Sequence, residues 1–221
     1  MTFILNVLHK DMSILAADQR AVAEWPSFGF PSRGKAVCHD AKKITINSTF
    51  VLAMGTSGYS EHNSYINDVA RSESVKDGLS IIRSHMESFL QVDDLASLIK
   101  SASPFENECI ATFYDEDTNT FFTNEFGFNE FSNRTRLHKA SDEVKILCAG
   151  SGRKNFDADS AKDEVQLLVD SKDNLQLEEN IVSWMKSAFR LVSDQNEGCG
   201  PDPIFAVATR IRHEFHISDR R

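Results

Sequence analysis

A threonine at position 2 is followed sixteen residues later by an aspartate, with two short strands and one tight turn between them. Residues 2–8 and 12–17 alternate or run apolar, which predicts paired strands, and Lys10-Asp11 makes the turn. The returning strand ends in Ala16-Ala17-Asp18-Gln19-Arg20, so a hairpin would bring Asp18 back beside residue 2. Removal of Met1 would leave Thr2 as a free N-terminal residue, with a hydroxyl nucleophile and an amine base on one carbon skeleton. A threonine hydroxyl is a poor nucleophile at neutral pH and needs such a base. An α-amine, with an ordinary pKa of about 7.7–8.0, is substantially neutral near working pH and can take the hydroxyl proton directly or through a water. The chemistry available to this constellation is attack on an acyl carbon.

The elements that must position these groups follow from periodicity. Residues 24–34 hold two Pro and two Gly and form a loop, whose Trp25, Phe28 and Phe30 either pack locally or line a pocket. Residues 36–38 and 43–46 are short strands. Residues 50–54 form a buried strand that runs into Gly55-Thr56-Ser57-Gly58. From 60 to 91 apolar residues recur at three- and four-residue steps and predict a helical segment, and Asp93-Asp94 opens a further helix over 95–100. Strands follow at 108–113 and 120–124 around the turn at 115–119. A strand at 144–149 meets Gly150-Ser151-Gly152. Helices span 159–169 and 177–192, and strands at 204–209 and 211–217 close the chain. Strands, two helices, strands, two helices, strands is an α+β order, and it predicts two antiparallel sheets between two helical layers in a single domain over 1–221.

Composition narrows the function. The 221 residues carry a formal net charge of −9, which argues against nucleic acid or an anionic membrane surface as partner. Arg210, Arg212, Arg220 and Arg221 make a local basic end. No basic, apolar secretory leader opens the sequence, and no run approaches the roughly 18 apolar residues that span a bilayer. Cys38, Cys109, Cys148 and Cys199 are widely spaced with no CxxC pair, as expected of reduced thiols in a cytoplasm. His213-Glu214-Phe215-His216 is one residue short of a zincin motif, and in a strand its histidines would face opposite ways, so no metal is expected. Gly55-Thr56-Ser57-Gly58 is not a Gly-x-Ser-x-Gly elbow, and no phosphate-binding or dinucleotide fingerprint is present, so no cofactor is expected. The acidic turn at 115–117 lacks a calcium-loop pattern.

Four stretches give the chain a family likeness. Thr2, Asp18 and Arg20 have the spacing of a threonine, an aspartate sixteen residues on, and an arginine two further. Lys43 opens a short strand in Lys42-Lys43-Ile44-Thr45-Ile46, and Gly58 follows fifteen residues later. Gly150-Ser151-Gly152 follows a buried strand. Asp194 ends a helix ahead of Glu197-Gly198-Cys199-Gly200. The chain resembles proteasome-type β subunits, members of the N-terminal nucleophile hydrolases, and in particular bacterial proteasome-like proteases. It departs at Glu197, where the family usually has Ser, at Cys199, where Gly is frequent, and at Phe3, where a second Thr is common.

The resemblance implies a four-layer α-β-β-α sandwich and a catalytic set of Thr2, Asp18, Lys43, Ser151 and Asp194. Lys43, held by Asp18, would be an ammonium beside the hydroxyl, and Ser151 and Asp194 would orient the amine and a bridging water. Gly58 would donate its N–H to the oxyanion, with Arg20, Gly150, Gly152 and Glu197 supporting. The activity implied is that of a threonine peptidase or amidohydrolase in a cytoplasmic homo-oligomeric ring, acting on peptides or proteins, with an ATP-driven unfoldase as a partner by analogy. Two alternatives stand beside it: a ring scaffold or interaction protein without catalysis, and a non-peptidase amidase or acyl transferase that uses Thr2.

Overall fold

The structure is a computed structural model, and it describes residues 2–24, 35–39, 41–57, 64–88, 107–129, 132–171 and 176–218. The chain begins with the predicted hairpin, β1 (Ile4–His9) and β2 (Met12–Asp18), paired antiparallel from Ile4 opposite Ala17 to His9 opposite Met12. β3 (Ala21–Glu24) and β4 (Lys35–Cys38) form a separate two-stranded ribbon. β5 (Ile44–Ile46) and β6 (Leu52–Ser57) lead into α1 (Ser64–Arg71) and α2 (Val75–Ser88). β7 (Asn107–Asp115), β8 (Thr120–Asn129), β9 (Ser132–Lys139) and β10 (Lys145–Ala149) follow. A 3-10 turn (Ser151–Asn155) precedes α3 (Ala158–Asp170) and α4 (Leu177–Gln195), and β11 (Pro203–Thr209) and β12 (His216–Ser218) close the chain.

Ten of these strands make two antiparallel five-stranded sheets, β10-β1-β2-β11-β12 and β5-β6-β7-β8-β9, which with the four helices give an α+β architecture. β1 and β2 are buried at every position because both of their faces are covered. Phe3, Leu5, Val7, Ile14 and Ala16 point to one side and pack with Val165 of α3 and Ile181, Met185, Phe189 and Val192 of α4. Ile4, Leu8, Leu15 and Ala17 point the other way, against Ile44, Ala53, Ile110 and Phe121 of the second sheet. The far face of that sheet, through Leu52, Met54, Cys109 and Ala111, packs with Val69, Ile82 and Met86 of α1 and α2. Period-two alternation in the strands and the three- and four-residue spacing on α4 are thus read out as three separate apolar clusters.

Between the sheets sits a closed polar group. Asn6, Ser13, Thr112 and Thr123 are all fully buried. Asn6 Nδ2 donates to Ser13 Oγ and to the Ile14 carbonyl, both at 3.1 Å. Ser13 Oγ lies 2.7 Å from Thr112 Oγ1, which donates to the Phe122 carbonyl at 3.1 Å, and Thr123 Oγ1 donates to Asn6 Oδ1 at 2.9 Å. With Ser13 as donor to Thr112, every hydroxyl proton has an acceptor, which is what lets such a group lie in an apolar interface.

Three elements differ from the sequence expectation. The helical segment over 60–91 is two helices, because Ser72 Oγ closes the first on the Val69 carbonyl (2.7 Å) and Ser74 caps the second. The Asp77 N–H donates to Ser74 Oγ at 3.1 Å, and that hydroxyl donates to the Asp77 carboxylate, a reciprocal cap. β9 is a strand that the periodicity did not predict. The strand expected over 211–217 reduces to β12, and His213 lies before it, stacked on Tyr114 at 3.8 Å. The helix expected over 95–100 lies outside the described residues.

Candidate active site

The site is built where the first hairpin closes. Asp18, the last residue of β2, is fully buried and binds residues from four parts of the chain. The Phe3 N–H donates to its Oδ1 at 2.7 Å, and the Asp18 N–H returns to the Phe3 carbonyl at 3.1 Å. Lys43 Nζ donates to both carboxylate oxygens, at 2.9 and 3.0 Å. The N–H groups of Arg20 and Gly200 donate to Oδ2 at 3.2 and 3.0 Å. Lys43 also donates to the Arg20 carbonyl. A carboxylate with this many donors is fixed in orientation, and its partners satisfy it in place of water, the condition under which a buried ion pair persists. Burial lowers the pKa of Lys43 below its usual value, and the adjacent Asp18 charge opposes that shift.

Thr2 is buried and gripped from the opposite side by the turn after β10. Its backbone nitrogen donates to Ser151 Oγ at 3.3 Å, and its carbonyl accepts the Gly152 N–H at 3.1 Å. Both glycines of the turn are required. Gly150 has a φ of +83°, and a Cβ there would lie 2.3 Å from the Thr2 carbonyl oxygen. At Gly152 a Cβ would fall 2.7 Å from Phe3 Cβ. Phe3 is fully buried, with its ring 4.8 Å from Phe189 and 5.3 Å from Phe156, so the residue after Thr2 is locked into the core.

The loop after α4 completes the site. Asn196 Oδ1 accepts the Gly198 N–H (3.1 Å), and its carbonyl accepts the Cys199 N–H (3.0 Å). Ser193 Oγ donates to the Cys199 carbonyl at 3.1 Å. This seats Cys199, buried, against Ser151 and near Asp18 and Lys43, and burial raises its thiol to about 11. The thiol is therefore neutral at physiological pH and packs as a small apolar group.

No family model matches the chain, and no curated protein matches it.

Of the residues singled out from sequence, Thr2, Asp18, Arg20, Lys43, Gly150, Ser151 and Gly152 converge on this one place. Asp194 is exposed in the last turn of α4, and no hydrogen bond or ion pair among the described residues joins it to Thr2 or Ser151. Glu197 is exposed in the loop. Gly58, Trp25, Phe28 and Phe30 lie outside the described residues. Among the described residues, no helix is long and apolar enough to cross a membrane.

Two residues of the site were not read from sequence. Glu108, near the start of β7 and 4 % exposed, accepts the Gly150 N–H with Oε2 and pairs with the Arg153 guanidinium through Oε1. Its only signal in the sequence is a carboxylate beside the apolar run Cys109-Ile110-Ala111, where an unpaired charge would be costly.

Proposed function

We propose that this chain is a threonine-dependent amide hydrolase, a peptidase that works through an acyl-enzyme on Thr2 as its N-terminal residue. The observation that carries the reading is the buried Asp18 carboxylate, which holds the Lys43 ammonium and the backbone of Phe3, the neighbour of Thr2, in one hydrogen-bonded set. A lysine buried there to make an ion pair alone is poorly explained, since replacing such a pair with apolar residues is often neutral or stabilising. A positive charge next to a hydroxyl nucleophile favours the alkoxide and depresses the pKa of a nearby amine.

On this reading the Thr2 amine takes the hydroxyl proton and Oγ1 attacks the substrate carbonyl. The amine then gives the proton to the departing nitrogen, and water later hydrolyses the ester on Thr2. The Gly58 N–H receives the oxyanion, a donor worth typically 2.7–4 kcal/mol in such sites. Ser151 orients the amine, and Asp194 stands exposed in the last turn of α4. The two sheets, with helix pairs packed on their outer faces, support the four-layer N-terminal nucleophile sandwich, and with it a homo-oligomeric ring that encloses the sites and takes peptides or unfolded protein.

The test is adduct mapping on the intact protein with an electrophile selective for N-terminal threonine, together with peptide cleavage by Thr2→Ala. The expected result is a single adduct on Thr2 and loss of cleavage in the variant at unchanged size-exclusion mass. An adduct elsewhere, cleavage that survives Thr2→Ala, or an intact mass that retains Met1 would overturn the reading.

A further inference from the structure

We propose that Glu108, through Arg153, is a positioning residue for the Thr2 nucleophile, acting from the opposite sheet; the inference rests on the function proposed above. The groups that grip Thr2 all belong to the turn that leaves β10, at the edge of the first sheet. Among the described residues, β10 is paired with β1 on one side only, so within its own sheet the turn is tied through Thr2, the residue it has to position. Glu108 adds an anchor that does not depend on Thr2. It stands opposite Ser57 in the β6–β7 ladder of the second sheet, and Ser57 Cβ lies 3.4 Å from where a Cβ on Gly150 would stand. From there one carboxylate oxygen takes the Gly150 N–H and the other takes the guanidinium of Arg153.

The two anchors bracket Ser151 and Gly152, the residues that contact Thr2. A turn fixed at both ends cannot lift, so the height of Ser151 Oγ above the Thr2 nitrogen is set from the second sheet. The Gly150 N–H would otherwise be a buried donor with no acceptor, and a charge-assisted bond is the strongest available replacement for water there. Glu108 touches neither substrate nor reacting atoms. Its effect on the reaction is the orientation of the amine that must accept the hydroxyl proton, where a displacement of about 1 Å can cost 10²-fold in rate.

Glu108→Gln keeps an oxygen for the Gly150 N–H but turns an amide toward Arg153, and Glu108→Ala removes both acceptors. With the full chain carrying Thr2 at its amino end, we expect Thr2 labelling by the threonine-selective electrophile to slow at least tenfold in E108A. E108Q should fall between E108A and wild type, and the pH at half-maximal labelling should move in both variants. Hydrogen exchange of the peptide spanning 150–153 should accelerate at least tenfold in E108A, while peptides from α4 keep their wild-type protection. E108Q carries the comparison should E108A fail to accumulate as folded protein. Labelling rate, pH midpoint and exchange all equal to wild type in E108Q overturn the proposal while leaving Thr2 as nucleophile. Faster exchange at 150–153 with no change in labelling also overturns it, reducing Glu108 to a structural clasp. Failure of the wild-type chain to label at Thr2 removes the function and this inference together.

Discussion

At the scale of single residues, the function proposed above makes Lys43 the group that sets the alkaline end of the working pH range. Burial holds the Lys43 pKa below its ordinary value, so the ammonium is lost at a lower pH than in an exposed lysine. The alkaline limb of the pH–rate profile is therefore expected below about 10.5, the reference for lysine. In Lys43→Arg that limb should move upward, because a guanidinium stays protonated throughout; an unmoved limb would show that Lys43 does not carry it. Removing the charge instead leaves Asp18 uncompensated in a fully buried place, and Lys43→Met should cost about 3–5 kcal/mol of stability by chemical denaturation. Cys199 gives the opposite kind of expectation. Its thiol is buried and raised to about 11, so alkylation of the native protein at neutral pH should modify the exposed Cys38 and spare Cys199.

At the scale of elements, the turn after β10 is the most demanding piece of backbone. Gly150→Ala forces a side chain into the left-handed region and onto the Thr2 carbonyl. The expected cost is about 1–3 kcal/mol for the backbone alone, with Thr2 labelling falling more steeply than the melting temperature. The β1–β2 turn carries a milder, pH-dependent term. His9 is buried, accepts the Asp11 N–H on Nδ1 at 3.3 Å, and has its pKa lowered by burial, only partly opposed by Asp11. The unfolded chain therefore binds the proton more readily than the folded one. The stability this contributes is complete above pH 6.5 and is lost as pH falls through the lower folded value. Urea midpoints of wild type and His9→Gln should diverge across that window and run parallel above it.

These elements also mark how far the sequence could be read. The hairpin and the spacing from Thr2 to Asp18 were legible because two apolar runs joined by the tight turn at Lys10-Asp11 allow one register, which brings residue 18 back to residue 3. β9 was not legible. It reads Ser132-Asn133-Arg134-Thr135-Arg136-Leu137-His138-Lys139, an edge strand whose Leu137 is exposed, so it has no apolar face to announce a period of two. The break between α1 and α2 was written in Ser74 and Asp77, but as a capping signal inside an apolar repeat that continued on both sides. Glu108 was invisible for a different reason: its partners are 42 and 45 residues away, and no local pattern encodes them.

At the scale of the whole molecule, the two sheets are joined by packing that is almost entirely apolar and therefore weakly specific in how one sheet lies on the other. Deep in that packing lies the polar group formed by Asn6, Ser13, Thr112 and Thr123, with two members from each sheet. A buried polar set that is satisfied in only one arrangement penalises every other, which makes these residues the alignment marks between sheets. Thr123→Val strands the Asn6 carbonyl and should cost about 1–3 kcal/mol in denaturant midpoint. Replacing Asn6 with Leu in the same chain should recover part of that loss, and full additivity of the two changes would show that the four residues do not act as a unit.

The carboxylate of Asp18 has a further meaning in time. It gathers its donors from positions 3, 20, 43 and 200, so the first contact and the last are separated by almost the entire chain. At about 5–20 residues per second, a ribosome needs roughly 10–40 s to pass from residue 18 to residue 200. For most of that interval the start of the chain has left the ribosome while the group that would energise Thr2 is incomplete. On the function proposed above, a processing enzyme can therefore reach the terminus before there is a working nucleophile, and the site is completed only by the arrival of Gly200.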